Sequence, residues 1–403
     1  MNRSRNLKTA KRRKAQSDAL HEDAPEYRVN GADRTMTRLA RVAWDFADAN
    51  ASRRSIHAFH SYPARFIPEI PRTVIHELKP PRNALVFDPF CGCGTTLVEA
   101  QQAGYASVGV DLNPIGCLLS RVKTTPLPSN LVGLANRCVT DAQQSEAPPL
   151  PHIPNLTHWF RPDVCEALAA LCLRIRDVRD SATKDALEAV LSSIIVRVSN
   201  QDSDTRYAAV TKSVSAETVF DAFAESARTL ASLALTLPLL SEARSVVINR
   251  NVFDVRPSDI PGEVGLVVTS PPYPNAYEYW LYHKYRMWWL GYDPLAVKSS
   301  EIGARAHFFS GRRMEKEDFH LQMAGVFKLL AEVMRDGAYC CFVAGDSKIH
   351  GRIVDNAELL LKAATQHGFK LVFKSDREIN PHRKSFNLHH ARIKREHVLV
   401  WER

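Results

Sequence analysis

The stretch Ala84-Leu85-Val86-Phe87-Asp88 is a short apolar run ending in a carboxylate, and a turn follows at once: Pro89-Phe90-Cys91-Gly92-Cys93-Gly94-Thr95-Thr96. Leu97-Val98-Glu99-Ala100 then starts a helix-like pattern. A strand, a glycine-rich turn and a helix in that order form the opening unit of an α/β sheet. Glycine lets the backbone approach a ligand closely, and the first turn of the helix carries N–H groups without partners. A lone Gly-x-Gly is common in turns, but the longer string Asp-Pro-Phe-x-Gly-x-Gly-Thr-Thr is far more specific. It lacks the third glycine of a dinucleotide fingerprint, which argues against NAD.

A second strand over 106–110 ends at Asp111, roughly 20 residues past the turn, where nucleoside-binding α/β folds place an acid on the ribose. Two carboxylate oxygens match two vicinal hydroxyls; the plainer alternative is an Asp that caps the helix beginning after Asn113. The third feature is Ser270-Pro271-Pro272-Tyr273, which follows the apolar run 265–269. Its prolines remove two backbone donors and leave carbonyl oxygens free. A hydroxyl, a rigid carbonyl and an aromatic face then gather at one strand end. Such a set can hold a planar base and accept hydrogen bonds from its exocyclic amine. Taken alone, it also reads as a proline-rich loop after a core strand.

Together these strings resemble the S-adenosylmethionine-dependent DNA amino-methyltransferases, which methylate cytosine N4 or adenine N6. The resemblance covers about residues 40–125 and 245–403. It implies an α/β fold: a doubly wound, seven-stranded Rossmann-like methyltransferase sheet, here with a mostly helical insertion. It assigns S-adenosyl-L-methionine to Phe66, Asp88, Pro89, Phe90, Gly92, Gly94, Thr95, Thr96, Asp111, Asn113 and Asn251. Phe66 closes the segment 59–66, which in the family packs over the methionine end of the cofactor. Asn251 stands where the family usually has an Asp contacting the adenine amine. The catalytic set is Ser270, Pro271, Pro272 and Tyr273, and no metal is implied.

Ser at the first catalytic position favours cytosine N4 by the family pattern, since adenine enzymes more often carry Asp or Asn there. The base must leave the duplex to react. Tyr273 is expected to stack on it, while Ser270 and the Pro271 carbonyl accept the amine hydrogens. Rival readings are an adenine-N6 enzyme, a guanine-N2 RNA enzyme and a non-catalytic DNA-binding relative. The pyrimidine-C5 route is disfavoured because the chain has no Pro-Cys dipeptide.

The chain has 403 residues and a net charge of +9. Arg3, Arg5, Lys8, Lys11, Arg12, Arg13 and Lys14 crowd into residues 1–16 with no acid among them, so the remainder is nearly balanced. Such an arm can follow a phosphate backbone; it can equally be a solvated tail. The eight cysteines form no Cys-x-x-Cys pair, which disfavours zinc and fits a reducing cytoplasm. No run is long and apolar enough for a membrane span, and no secretory leader is read. The expected partner is double-stranded DNA, with a restriction endonuclease as a candidate second partner and the protein a monomer or homodimer.

Four segments are read along the chain. Residues 1–35 form a basic, flexible arm. Residues 36–128 hold the cofactor half, opening with a helix over 36–50. Residues 129–243 form the helical insertion, with helices over 164–179, 184–198 and 219–235, and are the candidate for target recognition. Residues 244–403 hold the catalytic half. Arg377 and the run Pro381-His382-Arg383-Lys384 are candidate phosphate contacts, or an ordinary exposed loop.

Overall fold

The computed structural model describes residues 34–46, 55–146, 148–204, 206–236, 243–309, 313–379 and 395–403. Residues 1–33 of the basic arm and the run 381–384 lie outside them, while Arg34 and Thr35 begin a helix. The strands are β1 (Leu85–Asp88), β2 (Ser107–Asp111), β3 (Ser245–Asn249), β4 (Val264–Thr269), β5 (Met334–Gly345), β6 (Ser347–Ile349), β7 (Arg352–Val354), β8 (Lys370–Glu378) and β9 (Arg395–Glu402). Seven of them make one sheet in the order β3-β2-β1-β4-β5-β9-β8. Strands β1 to β5 pair in parallel, and β9 runs antiparallel between β5 and β8. This is the seven-stranded doubly wound sheet expected above. The small β6–β7 hairpin was not foreseen.

The central parallel strands β1 and β4 are buried on both faces because helices cover both, whereas the edge strand β3 is partly exposed. Alternate residues go to opposite sides: Phe87, Val267 and Phe342 face one core, while Val86, Val268 and Val343 face the other. The helices are α1 (Arg34–Ala40), α2 (Glu69–Leu78), α3 (Thr95–Gln102), α4 (Pro114–Thr124), α5 (Leu131–Gln143), α6 (Leu156–Trp159), α7 (Pro162–Arg176), α8 (Ser181–Ile194), α9 (Ala216–Ala234), α10 (Tyr279–Trp289), α11 (Pro294–Ser300), α12 (Lys316–Val333) and α13 (Asn356–Gln366). Helix α12 supplies Phe319, Met323, Phe327 and Leu330 to the first face, and α2 supplies Ile70, Val74 and Ile75 to the second.

Helices α5 to α9 lie between β2 and β3 in the chain. They share one core with α4: Ile115, Leu118, Leu119 and Val122 pack in the same cluster as Leu168, Leu187, Leu191 and Phe223. Helix α1 is shorter than the expected 36–50, because the chain turns at 41–46. Trp44 drives that turn. Its indole nitrogen donates to the Leu39 carbonyl at 3.2 Å, and its ring packs against Phe373. Residues 47–50 lie outside the described ones.

Candidate active site

In the sheet order β1 sits between β2 and β4, so the chain leaves β1 and β4 at neighbouring carboxyl ends. The strand order reverses there, and open α/β sheets bind ligands at that point. A cleft of about 890 Å³, part of it open to solvent, lies at this edge. Ten of the residues assigned to the cofactor or the chemistry line it in three groups: Asp88, Pro89, Phe90, Gly92 and Thr95 after β1; Asp111 and Asn113 after β2; Asn251, Ser270 and Pro272 after β3 and β4. Phe66 lines it from the segment before α2.

The turn after β1 is held from below. Asp88 Oδ1 accepts from the Thr269 hydroxyl at 2.6 Å and from the Phe90 N–H at 3.0 Å. Burial nonetheless pushes its pKa up to about 6. Gly92 and Gly94 both have positive φ, +48° and +80°, which lets the chain curl around the cleft before α3 begins. Gly116 on α4 packs directly under the turn: a Cβ there would sit 2.8 Å from the Gly92 carbonyl oxygen.

Asp111 closes the opposite wall. Its Oδ2 accepts from the Gly92 N–H at 2.8 Å and its Oδ1 from the Asn113 N–H at 2.7 Å. Burial outweighs these bonds and pushes its pKa up to about 6. Asn113, not Asp111, is the side-chain cap of α4, through Ile115 N–H at 3.0 Å. The Asn113 Nδ2 is buried with no partner, and Asn113 lines the cleft. A buried donor without a partner is costly, so a ligand acceptor at this wall suits it. Each Asp111 oxygen keeps lone-pair capacity for a hydroxyl. These donor and acceptor sets fit an adenosine-bearing cofactor. Asn251 stands at the end of β3, and its Oδ1 also accepts from the Phe253 N–H at 3.1 Å.

Four assigned residues do not line the cleft. Gly94 lies against Ser120 on α4, where a Cβ would come within 2.9 Å of backbone. Thr96 points at the sheet and donates to the Val268 carbonyl at 3.2 Å. Pro271 is buried. Tyr273 is only 6% exposed, and its hydroxyl donates to Glu396 Oε1 at 3.0 Å. Its ring packs in the core below the cleft and not in the opening. Arg377 is a correction. It is buried and pairs with Glu396 at 2.8 Å, so it is not available to a phosphate.

Further residues line the cleft outside the assigned set; of these, Tyr279 lies in the aromatic run 275–280 that the sequence offers as a lining of the base pocket. Tyr62 belongs to the 59–66 segment singled out above. Its ring stacks between Tyr279 (6.0 Å) and His283 (4.9 Å). Tyr279 opens α10 and lines the cleft. Glu301 lines it as well, and its two oxygens accept from the Tyr279 and Trp280 N–H groups at 2.9 and 2.8 Å. Burial pushes the Glu301 pKa up to about 8, against those two bonds. No local string marks Glu301, since its partners come from a different helix.

Strand order and cleft together define a doubly wound α/β fold with a ligand site at the switch point of its sheet. Comparison with known proteins narrows this. A family model described as DNA methylase, of the N6/N4 kind, matches residues 3–119. The chain is 30% identical over 161 residues to the Type II methyltransferase M.MvaI of Kocuria varians, covering 36% of this chain and 34% of that protein. It is 36% identical over 84 residues to the Type II methyltransferase M.MjaII of Methanocaldococcus jannaschii, covering 20% and 15%. The chain thus spans about a third or less of the length of these relatives. Among solved structures, the rRNA methyltransferase aviRa from Streptomyces viridochromogenes aligns at 14% identity and TM-score 0.35, covering 89% of this chain and 96% of that one. The sequence matches support a DNA methyltransferase, in a family that includes both cytosine-N4 and adenine-N6 enzymes. Among the described residues, no helix is long and apolar enough to cross a membrane.

Proposed function

We propose that this protein transfers a methyl group from S-adenosylmethionine to the exocyclic N4 amine of a cytosine turned out of double-stranded DNA. One observation carries the reading: Ser270 shares a cleft with Asp88, Gly92 and Asp111 from the neighbouring strands. Residues that suit a nucleoside cofactor and a hydroxyl that suits an amine therefore face the same space. The choice of N4 over adenine N6 rests on Ser270 at the first position of the catalytic string.

When bound, the cofactor supplies an electrophilic methyl carbon on a sulfonium. Asp111 would hold its ribose hydroxyls, Asn251 its adenine amine and Phe66 its methionine end. The turn 89–96 would hold it at the end of β1. On the substrate side, extrusion of the base costs roughly a few kcal/mol. The cytosine amine is a weak nucleophile because its lone pair is delocalised into the ring. Ser270 Oγ, which lines the cleft, accepts an amine hydrogen and draws the nitrogen toward a tetrahedral geometry. Orientation and electrostatics thus supply the rate. No covalent enzyme intermediate is needed.

Nucleoside mass spectrometry of DNA exposed to the protein tests this. N4-methylcytosine is expected with the wild type. Ser270→Ala should lower turnover by about 10²–10³-fold, the usual loss for one oriented polar group, with cofactor affinity unchanged by calorimetry. N6-methyladenine in place of N4-methylcytosine would overturn the choice of base. Absence of either product would overturn the activity.

A further inference from the structure

Resting on that reading, we propose that Tyr273 is a positioning residue, whose hydroxyl, tied to Glu396 and through it to Arg377, fixes the Ser270–Tyr273 turn. The aromatic ring of such a string would ordinarily be given the task of stacking on the base. Here the ring is buried, 6% exposed, with its centroid 6.5 Å from that of Tyr277. Its hydroxyl donates to Glu396 Oε1 at 3.0 Å and lies 3.4 Å from the Val343 carbonyl. Arg377 Nη1 donates to Glu396 Oε2 at 2.8 Å, and the Arg377 side chain is 7% exposed. Glu396 sits on β9 opposite Gly345 of β5 and Arg377 of β8, so the anchor is built into three paired strands. The other side of the turn is clamped too. The Asn275 N–H donates to the Gly303 carbonyl at 2.9 Å, and Gly303 packs so close that a Cβ would lie 2.9 Å from the Tyr273 oxygen.

The two roles differ in what the hydroxyl is for. A stacking ring works without it, since phenylalanine offers the same face. A tether to a buried, charge-paired carboxylate does not, because a hydrogen bond to a charged group is among the stronger ones. Fixing the turn fixes the hydroxyl of Ser270, three residues earlier, and small misplacement of a reacting group lowers rates steeply.

The test uses Tyr273→Phe, Glu396→Met, Glu396→Gln and the double variant Tyr273→Phe/Glu396→Met in the full chain. Three quantities are read: kcat on DNA, cofactor Kd, and hydrogen exchange of the amides between 273 and 278. Tyr273→Phe and Glu396→Met should each lower kcat by about 10- to 100-fold, the worth of one such bond, with Kd within about twofold of wild type. The double variant should be no worse than the weaker single, because both remove one link. Glu396→Gln keeps the shape but loses the charge that Arg377 pairs with, and should fall between wild type and Glu396→Met. Exchange in 273–278 should rise in Tyr273→Phe and remain as in wild type in the turn 89–96. A Tyr273→Phe enzyme with wild-type kcat and wild-type exchange would overturn the tether, as would losses that multiply in the double variant. Should the wild type methylate no DNA, the proposed function falls, and exchange alone then decides for or against the tether.

Discussion

Glu301 is a carboxyl group held where a charge is costly. Its pKa is raised to about 8, first by burial and then by the nearby acids Glu278 and Asp111, while two N–H groups of α10 pull the other way. In an unfolded chain a Glu titrates near 4.5. The folded state therefore binds a proton that the unfolded state has lost between these two values. The resulting stability is fully present below about 4.5 and is lost as pH rises through about 8. Melting temperature should accordingly fall between pH 5 and pH 8, and should fall less steeply in Glu301→Gln, which has no proton to lose. Thermal melts across that range check this, and identical slopes in the two proteins would refute it. Asp88 and Asp111 add a fall of the same sign between roughly pH 4 and 6, which both proteins share.

At the scale of elements, the cofactor turn depends on a glycine outside its own string. Gly116 lies in the first turn of α4, and its missing side chain lets that helix approach Gly92 O and the Tyr62 hydroxyl. Gly116→Ala should push the turn outward. A stability loss of roughly 1–3 kcal/mol is expected from such overpacking, read by urea unfolding, together with a cofactor affinity at least several-fold weaker by calorimetry. Wild-type affinity in this variant would show that the close approach has no bearing on the site. Tyr273 makes the same point for the catalytic turn. Its residue type was plain in the string, but its place below the cleft depends on Glu396 and Arg377 on two later strands. No local pattern around Ser270 announces them.

Across the whole molecule, the insertion is joined to the site's floor by buried polar contacts. Arg286 of α10 donates from Nε to the Ser192 carbonyl of α8 at 3.0 Å and pairs with Asp204. His60 Nε2 lies 3.0 Å from the hydroxyl of the same Ser192. The Arg286 side chain is almost fully buried, so removing it strands Asp204. Arg286→Met should cost roughly 3–5 kcal/mol, and urea unfolding of the wild type should remain a single transition. Two separate transitions would mark the insertion as an independent unit, against the core it shares with α4. For the seven basic residues of 1–16, electrostatics predicts an effect at longer range. Deleting residues 1–16 should weaken DNA binding and lower the slope of log affinity against log salt. An unchanged slope would leave those seven charges without a role in binding.

The amino-acid string alone carried the α/β class, the strands before Asp88, Asp111 and Ser270, and the two turns that meet at the carboxyl edge of the sheet. It could do so because each turn is a contiguous run whose backbone geometry follows from its own glycines and prolines. The length of α1 was not legible, since Trp44 turns the chain to reach Phe373 on β8. The exposure of Arg377 was misread for the same reason: a cation in a polar run looks solvated until Glu396 on the paired strand neutralises and covers it. Glu301 joined the cleft only when distant segments packed together. Backbone preference is written locally, but burial and charge pairing belong to neighbours in space, and only the tertiary structure chooses those.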